Sequence, residues 1–141
     1  MRINITRVDP TLPLPEYKTA GAVAFDLYTR EDAEIPPHKY ALLPSNLIIE
    51  VPAGHVLLVA ARSSLPQKGL TPPHGIGIVD QDYHGPEDEV KILVYNVTEE
   101  PVKVARGERI AQGLIVPIVK AEWNEEKSAN GKSRGGFGST G

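Results

Sequence analysis

Two carboxylates, a tyrosine and a histidine crowd into Asp80-Gln81-Asp82-Tyr83-His84, directly after the apolar stretch Gly75-Ile76-Gly77-Ile78-Val79 and bounded by Gly85. Such a density of polar groups beside a strand end marks the segment out. If the strand ran on to His84, alternation would set Asp80, Asp82 and His84 on one face and open the way to a metal site. A solvated hairpin is the other reading of the same residues. A second group, Ala60-Ala61-Arg62-Ser63-Ser64-Leu65, ends an apolar run in a fixed cation and two hydroxyls, all able to meet phosphate oxygens. A third, Gly107-Glu108-Arg109-Ile110-Ala111-Gln112, offers the uncharged amide donors of Gln112. Read alone, each of these two is equally an ordinary strand end or turn.

The fourth group is the carboxyl-terminal run Ser133-Arg134-Gly135-Gly136-Phe137-Gly138-Ser139-Thr140-Gly141. Its glycines let backbone N–H groups wrap an anion, Arg134 adds charge, Ser139 and Thr140 add hydroxyls, and Phe137 can stack on a base. A flexible linker is the other reading of the same residues, although linkers seldom carry one isolated Phe among glycines.

The elements that must position these groups are short. Thirteen prolines and thirteen glycines separate runs rich in Val, Ile, Leu and Tyr, a texture that predicts an all-β sandwich or barrel with no long helix. Ala41 to Val51 and His55 to Arg62 read as two strands joined at Pro52-Ala53-Gly54. Val90 to Val97 and Arg109 to Val119 read as two more, with the Thr98 to Pro101 turn and a short strand between them. Tyr28 to Glu34 leads from a strand toward the loop at Pro36-Pro37. Beyond Trp123 the chain turns polar and glycine-rich and cannot bury a core of its own, so residues 1–123 are expected to fold as one domain and 124–141 to form a flexible arm.

Bulk properties exclude several classes. The chain has 141 residues, 40% of them apolar, enough for one core. Its net charge of -3 is wrong for holding an extended polyanion, although a single nucleotide is compatible with it. No cysteine is present, which removes disulfides, thiolate metal sites and cysteine nucleophiles. The start MRINITRVDP places charges and a proline where a signal peptide needs an apolar run, and no segment is apolar enough for a membrane span. A soluble, untargeted protein is expected.

Taken in order, the groups resemble the five motifs of the trimeric dUTPase family, from about Lys18 to the last residue. They are Ala20-Gly21-Ala22-Val23-Ala24-Phe25-Asp26-Leu27-Tyr28, then Ala61-Arg62-Ser63-Ser64-Leu65, then Gly77 to Gly85, then Gly107 to Gln112, then the ending Gly136-Phe137-Gly138-Ser139-Thr140-Gly141. The ending is the most specific match. The resemblance implies a jelly-roll subunit, a homotrimer, and three active sites each assembled from all three chains. It implies hydrolysis of dUTP to dUMP and pyrophosphate with Mg²⁺, limiting uracil incorporation into DNA and supplying dUMP for thymidylate synthesis. The implied location is the cytoplasm, or the cytoplasm or nucleus of a host if the chain is viral.

The same resemblance assigns roles. Asp80 is the base that activates water against the α-phosphorus. Tyr83 packs beneath the sugar and excludes a 2′-hydroxyl, Gly77 and Ile78 lie on the base and sugar side where hairpin backbone reads uracil, and Phe137 covers the ring. Arg62, Ser63, Ser64 and Gln112 hold phosphates, and Asp26 meets Mg²⁺ through water. Gly138, Ser139, Thr140 and a cation of the arm bind the γ-phosphate end. That cation is Lys132 or Arg134: the family's arginine usually stands five positions before the Phe, where this chain has Lys132, whereas Arg134 stands three before it. Ala24 and Ser64 replace usual glycines, and Pro86-Glu87-Asp88 looks inserted. A deoxycytidine triphosphate deaminase, a relative of the same fold, would carry a catalytic glutamate three residues before Asn96 and a Trp in place of Tyr83. This chain has Leu93 at the first position. A non-catalytic trimeric β-module that binds a nucleotide or partner protein is the reading from a different class.

Overall fold

The structure, a computed structural model, describes residues 1–138. It is all-β: eleven short strands and one 3-10 turn, Leu65–Lys68, among the described residues. In chain order the strands are β1 Ile5–Arg7, β2 Phe25–Tyr28, β3 Ala33–Ile35, β4 Tyr40–Pro44, β5 Leu47–Ile49 and β6 His55–Ala61, followed by β7 Leu70–Thr71, β8 Gly77–Val79, β9 Lys91–Asn96, β10 Val102–Val104 and β11 Arg109–Pro117. Every pairing between them is antiparallel. The largest sheet runs β2-β11-β6-β8; a second runs β4-β9-β7, and the two-stranded pairs β1-β5 and β10-β3 complete the jelly roll.

Period-two patterning builds the core. On β6 the inward residues are Leu57 and Val59, and on β9 they are Ile92, Val94 and Asn96. These meet Leu27, Ile35, Leu43, Ile49, Leu70 and Ile110 in one buried cluster. Asn96 is fully buried, so its amide must be satisfied. Its Nδ2 donates to the Ile35 and Glu100 carbonyls, and its Oδ1 accepts from the N–H and hydroxyl of Thr98. One polar side chain thus shapes the turn at Thr98 to Pro101.

The strand readings need correction in their pairing. Ala41 to Val51 is two strands, because Asn46 takes a left-handed φ of 71° and turns the chain between β4 and β5. Buried Asn46 is held there by Asp9, whose N–H donates to Oδ1 at 2.6 Å and whose carbonyl accepts from Nδ2 at 3.0 Å. The turn at Pro52-Ala53-Gly54 does not close a hairpin: β5 pairs with β1, while β6 pairs with β11 and β8. Likewise β10 leaves β9 and pairs with β3. The large sheet places β11 between β2 and β6, and this arrangement brings distant segments of the chain to one place.

Candidate active site

Gln112 on β11 lies opposite Asp26 on β2 and opposite Ala60 on β6, so three segments far apart in sequence stand level across the sheet. Asp26 is buried. Its Oδ1 lies 2.9 Å from Arg62 Nε, and its Oδ2 accepts from Arg109 Nη1 at 3.1 Å. A shift of register between Arg109 and Ala111 marks a bulge at the strand end, a device that re-aims side chains. Gln112 Nε2 donates to the Ala61 carbonyl at 2.8 Å, fixing the amide beside the cluster. Two guanidinium groups around one carboxylate leave a local charge of about +1, a surface suited to phosphate.

Ser63 is exposed next to Arg62, and Ser64 begins the 3-10 turn whose first residue, Leu65, is buried in the core. The buried leucine anchors the turn, and the anchored turn holds the two hydroxyls near the cation. Here the departure from glycine at position 64 costs nothing in backbone terms, since Ser64 has a φ of -83° that any residue adopts.

Among the described residues no group of three His, Asp or Glu side chains could hold a metal directly. β8 ends at Val79, so the alternation that would have set Asp80, Asp82 and His84 on one face does not continue. Asp26 fits a different role. Its Oδ2 accepts from Arg109 and its Oδ1 is ion-paired with Arg62, and each oxygen retains a lone pair that can receive a hydrogen bond from the water shell of Mg²⁺.

Asp80 is exposed immediately beyond β8. The hairpin after it is tied at several points: Tyr83 N–H donates to the Asp80 carbonyl at 3.4 Å, Gln81 Nε2 to the His55 carbonyl at 2.9 Å, and Tyr83 Oη to the Glu89 carbonyl at 3.2 Å. The Pro86-Glu87-Asp88 segment is closed on itself, since Asp88 Oδ2 accepts from the Gly85 N–H at 2.7 Å. A cavity of about 370 Å³ opens between the β6-β8 wall, which includes Gly77, Ile78 and Asp80, and the β9 wall, which includes Lys91 and Leu93; Tyr83 lines it as well. Gly77 is the tight point of the first wall: a Cβ there would stand 3.3 Å from the Val59 side chain.

Register then separates the two groups within one chain. Val79 pairs with Leu57, so Asp80 stands level with Val56, whereas Arg62 lies beyond the far end of β6. Six residues of strand amount to roughly 20 Å. That is too far for Asp80 and Arg62 of one chain to serve adjoining atoms of one triphosphate.

After β11 the described residues form no strand, Lys132 and Arg134 are exposed, and Phe137 is fully exposed with a φ of 44°. Gly138 takes a φ of 89°, a conformation glycine adopts without strain. The candidates Ser139 and Thr140 lie outside the described residues.

Four participants carried no signal strong enough to single out from the sequence. Arg109 sits inside the fourth motif, yet only the sheet shows it sharing Asp26 with Arg62. Arg30 and Lys91 form an ion cluster around buried Glu89 near the hairpin: Arg30 Nε and Nη2 each lie 3.0 Å from a Glu89 oxygen, and Lys91 Nζ lies 2.9 Å from Oε2. Burial pushes the Glu89 carboxyl up, but the hydrogen bonds from Arg30, Lys91 and the Asn46 N–H outweigh it and hold the group below the ordinary carboxylate range. A run of acids at residues 87–89 offers no periodicity to say which one turns inward.

The dUTPase family profile matches residues 11–141. The deoxyuridine 5'-triphosphate nucleotidohydrolase of an Anaeromyxobacter species is 42% identical over 140 residues, covering 94% of this chain and 90% of that protein. Its counterpart from Helicobacter pylori is 36% identical over 149 residues, covering 100% and 97%. Among solved structures, the dUTPase from Streptococcus mutans superposes with a TM-score of 0.77 at 28% identity over 84% of this chain and 98% of that one. The Staphylococcus bacteriophage 80alpha dUTPase with dUPNHPP reaches a TM-score of 0.88 at 23% identity over 99% and 98%. With a profile match over residues 11–141, such relatives and a shared fold, the chain belongs to the dUTPase family.

Proposed function

We propose that the protein hydrolyses dUTP to dUMP and pyrophosphate as a homotrimer, each site taking its base and sugar pocket from one chain and its phosphate cluster from another. The observation that carries the reading is the geometry of the two half-sites. The Asp26, Arg62, Arg109 and Gln112 cluster is a finished anion surface, and Asp80 with Tyr83 flanks a nucleoside-sized cavity, but the register sets them roughly 20 Å apart on one subunit. Two copies meeting face to face supply both halves at one place.

In this site Asp80 accepts a proton from the water that attacks the α-phosphorus. Its exposed carboxylate beyond β8 leaves room for that water. The bond to the bridging oxygen breaks and pyrophosphate departs. Arg62, Ser63, Ser64 and Gln112 bind and orient the phosphates, and positioning is most of what displacement at phosphorus asks of a protein. Asp26 would hold Mg²⁺ through its waters, and the chemistry such an ion would supply there is neutralisation of phosphate charge. Tyr83 closes the space beside the sugar, Gly77 and Ile78 present backbone to base and sugar, and the arm from a third chain brings Phe137 over the base and Gly138, Ser139, Thr140 and Arg134 or Lys132 to the γ-phosphate. In this reading residues 1–123 are the folded domain and 124–141 the arm, ordered when the nucleotide supplies contacts.

Such an enzyme acts where nucleotides are made, in the cytoplasm or, for a viral chain, in its host's cytoplasm or nucleus. It would limit uracil incorporation into DNA and supply dUMP. No described helix is long and apolar enough to cross a membrane. The deaminase reading is disfavoured by Leu93, an apolar residue on the cavity wall where that chemistry needs a carboxylate. The test is a panel of nucleoside triphosphates with and without Mg²⁺, assayed for pyrophosphate and for base identity. Mg²⁺-dependent pyrophosphate from dUTP is expected; ammonia from dCTP would make the chain a deaminase, and no release from any nucleotide would make it a binding module.

A further inference from the structure

We propose that Glu89 is a positioning residue for sugar selection: by fixing its own peptide carbonyl, it sets the Tyr83 ring against the deoxyribose and so determines discrimination against ribonucleotides. This rests on the Tyr83 role given above. Glu89 is buried at 5% exposure and does not line the cavity, so it acts only through others. Its carboxylate collects four donors from three directions. Arg30, from the β2–β3 connection, supplies two at 3.0 Å; the Asn46 N–H, from the break between β4 and β5, supplies one at 2.7 Å; Lys91, on the cavity wall, supplies one at 2.9 Å. The flanking backbone is equally tied, with Val90 N–H donating to the Leu47 carbonyl at 2.9 Å and Ser45 N–H to the Val90 carbonyl at 3.0 Å.

The product of this anchorage is an immobile carbonyl at residue 89, and that carbonyl receives the Tyr83 hydroxyl at 3.2 Å. Tyr83 is 37% exposed, and among the described residues its one other hydrogen bond is its N–H contact to Asp80 at 3.4 Å. A half-exposed ring pivots unless its far end is held. Steric rejection of one hydroxyl needs a wall that does not yield, because a ring free to move makes room for the extra oxygen at small cost. The ion cluster around Glu89 therefore reaches the sugar site through one hydrogen bond.

The test compares the full-length wild type with Glu89→Gln and Tyr83→Phe by calorimetry, using the non-hydrolysable α,β-imido analogues of dUTP and UTP with Mg²⁺. Binding needs no turnover, so a failure of the hydrolysis reading does not disturb it. The expected result is that each variant lowers the ratio of deoxy to ribo affinity by about tenfold, the worth of one hydrogen bond, and that the double variant is no worse than either single one. A purely structural role for Glu89 would weaken both ligands alike and keep the ratio. An unchanged ratio in Tyr83→Phe, which retains every Glu89 ion pair and stands in should Glu89→Gln fail to fold, overturns the proposal. So does a ratio lost in Glu89→Gln alone.

Discussion

Arg62, just past the end of β6, is bound to Asp26 on β2 with Nε 2.9 Å from Oδ1, across the intervening strand β11. The pairing fixes the orientation of a guanidinium before any phosphate arrives, with Nη1 directed to the Arg109 carbonyl at 3.4 Å and to Ser64 Oγ at 3.5 Å. Arg62→Lys keeps the charge and loses the fork. Binding of the imido analogue of dUTP is expected to weaken roughly thirtyfold, the worth of about 2 kcal/mol in charge-assisted hydrogen bonding. Calorimetry reads it directly, and affinity within threefold of wild type would remove Arg62 from the phosphate site.

Asp80→Asn removes the proton acceptor and little else, since the side chain is exposed. Turnover of dUTP is expected to fall by about 10²- to 10⁴-fold, with analogue binding nearly unchanged. Equal losses in both measurements would assign Asp80 to binding rather than to base catalysis.

Removing residues 133–141 is expected to leave the proposed trimer intact in sedimentation while slowing pyrophosphate release about a hundredfold, the scale of lost positioning. Retention of full activity would dispose of the arm. Of the two exposed cations, Arg134→Ala is expected to cost more than Lys132→Ala, because only arginine grips a phosphate with two parallel bonds. The reverse order would give the clamp to Lys132.

Glu89 makes a definite prediction about acid. Its folded carboxyl titrates below the ordinary range, so its contribution to stability is fully present above the unfolded value, near 4.3, and is lost as pH falls through the lower folded value. Glu89→Gln is expected to cost about 3 kcal/mol at pH 7, the low end for breaking a buried ion pair, because Arg30 keeps some access to water. The gap between the two proteins should narrow below pH 4 in urea titrations. A gap independent of pH would mean that packing, not charge, is what the variant loses.

Gly113→Ala tests the sheet that carries the site. A Cβ on Gly113 would stand 2.5 Å from Phe25 Cζ and 3.2 Å from Leu57 Cδ1, and both side chains belong to the core. Overpacking of this kind is expected to destabilise by about 1–3 kcal/mol in thermal or urea unfolding. A neutral substitution would show that Phe25 can rotate away freely.

What could be read from the residues alone was chemistry in order along the chain. Period-two runs between glycines and prolines give an all-β fold, and the succession from Asp26 through Arg62, Asp80 and Gln112 to Phe137 gives the family, because residue type and spacing are properties of sequence. Pairing was another matter. Nothing local says that Asn46 breaks Ala41 to Val51 into strands of different sheets, since its left-handed φ is sustained by Asp9, 37 positions away. Nor does spacing reveal that Arg109 and Arg62 share one carboxylate, or that Glu89 rather than Glu87 or Asp88 is the buried acid. Those outcomes depend on which strands become neighbours and which charges they enclose, and only the closed sheets bring the partners within hydrogen-bond distance.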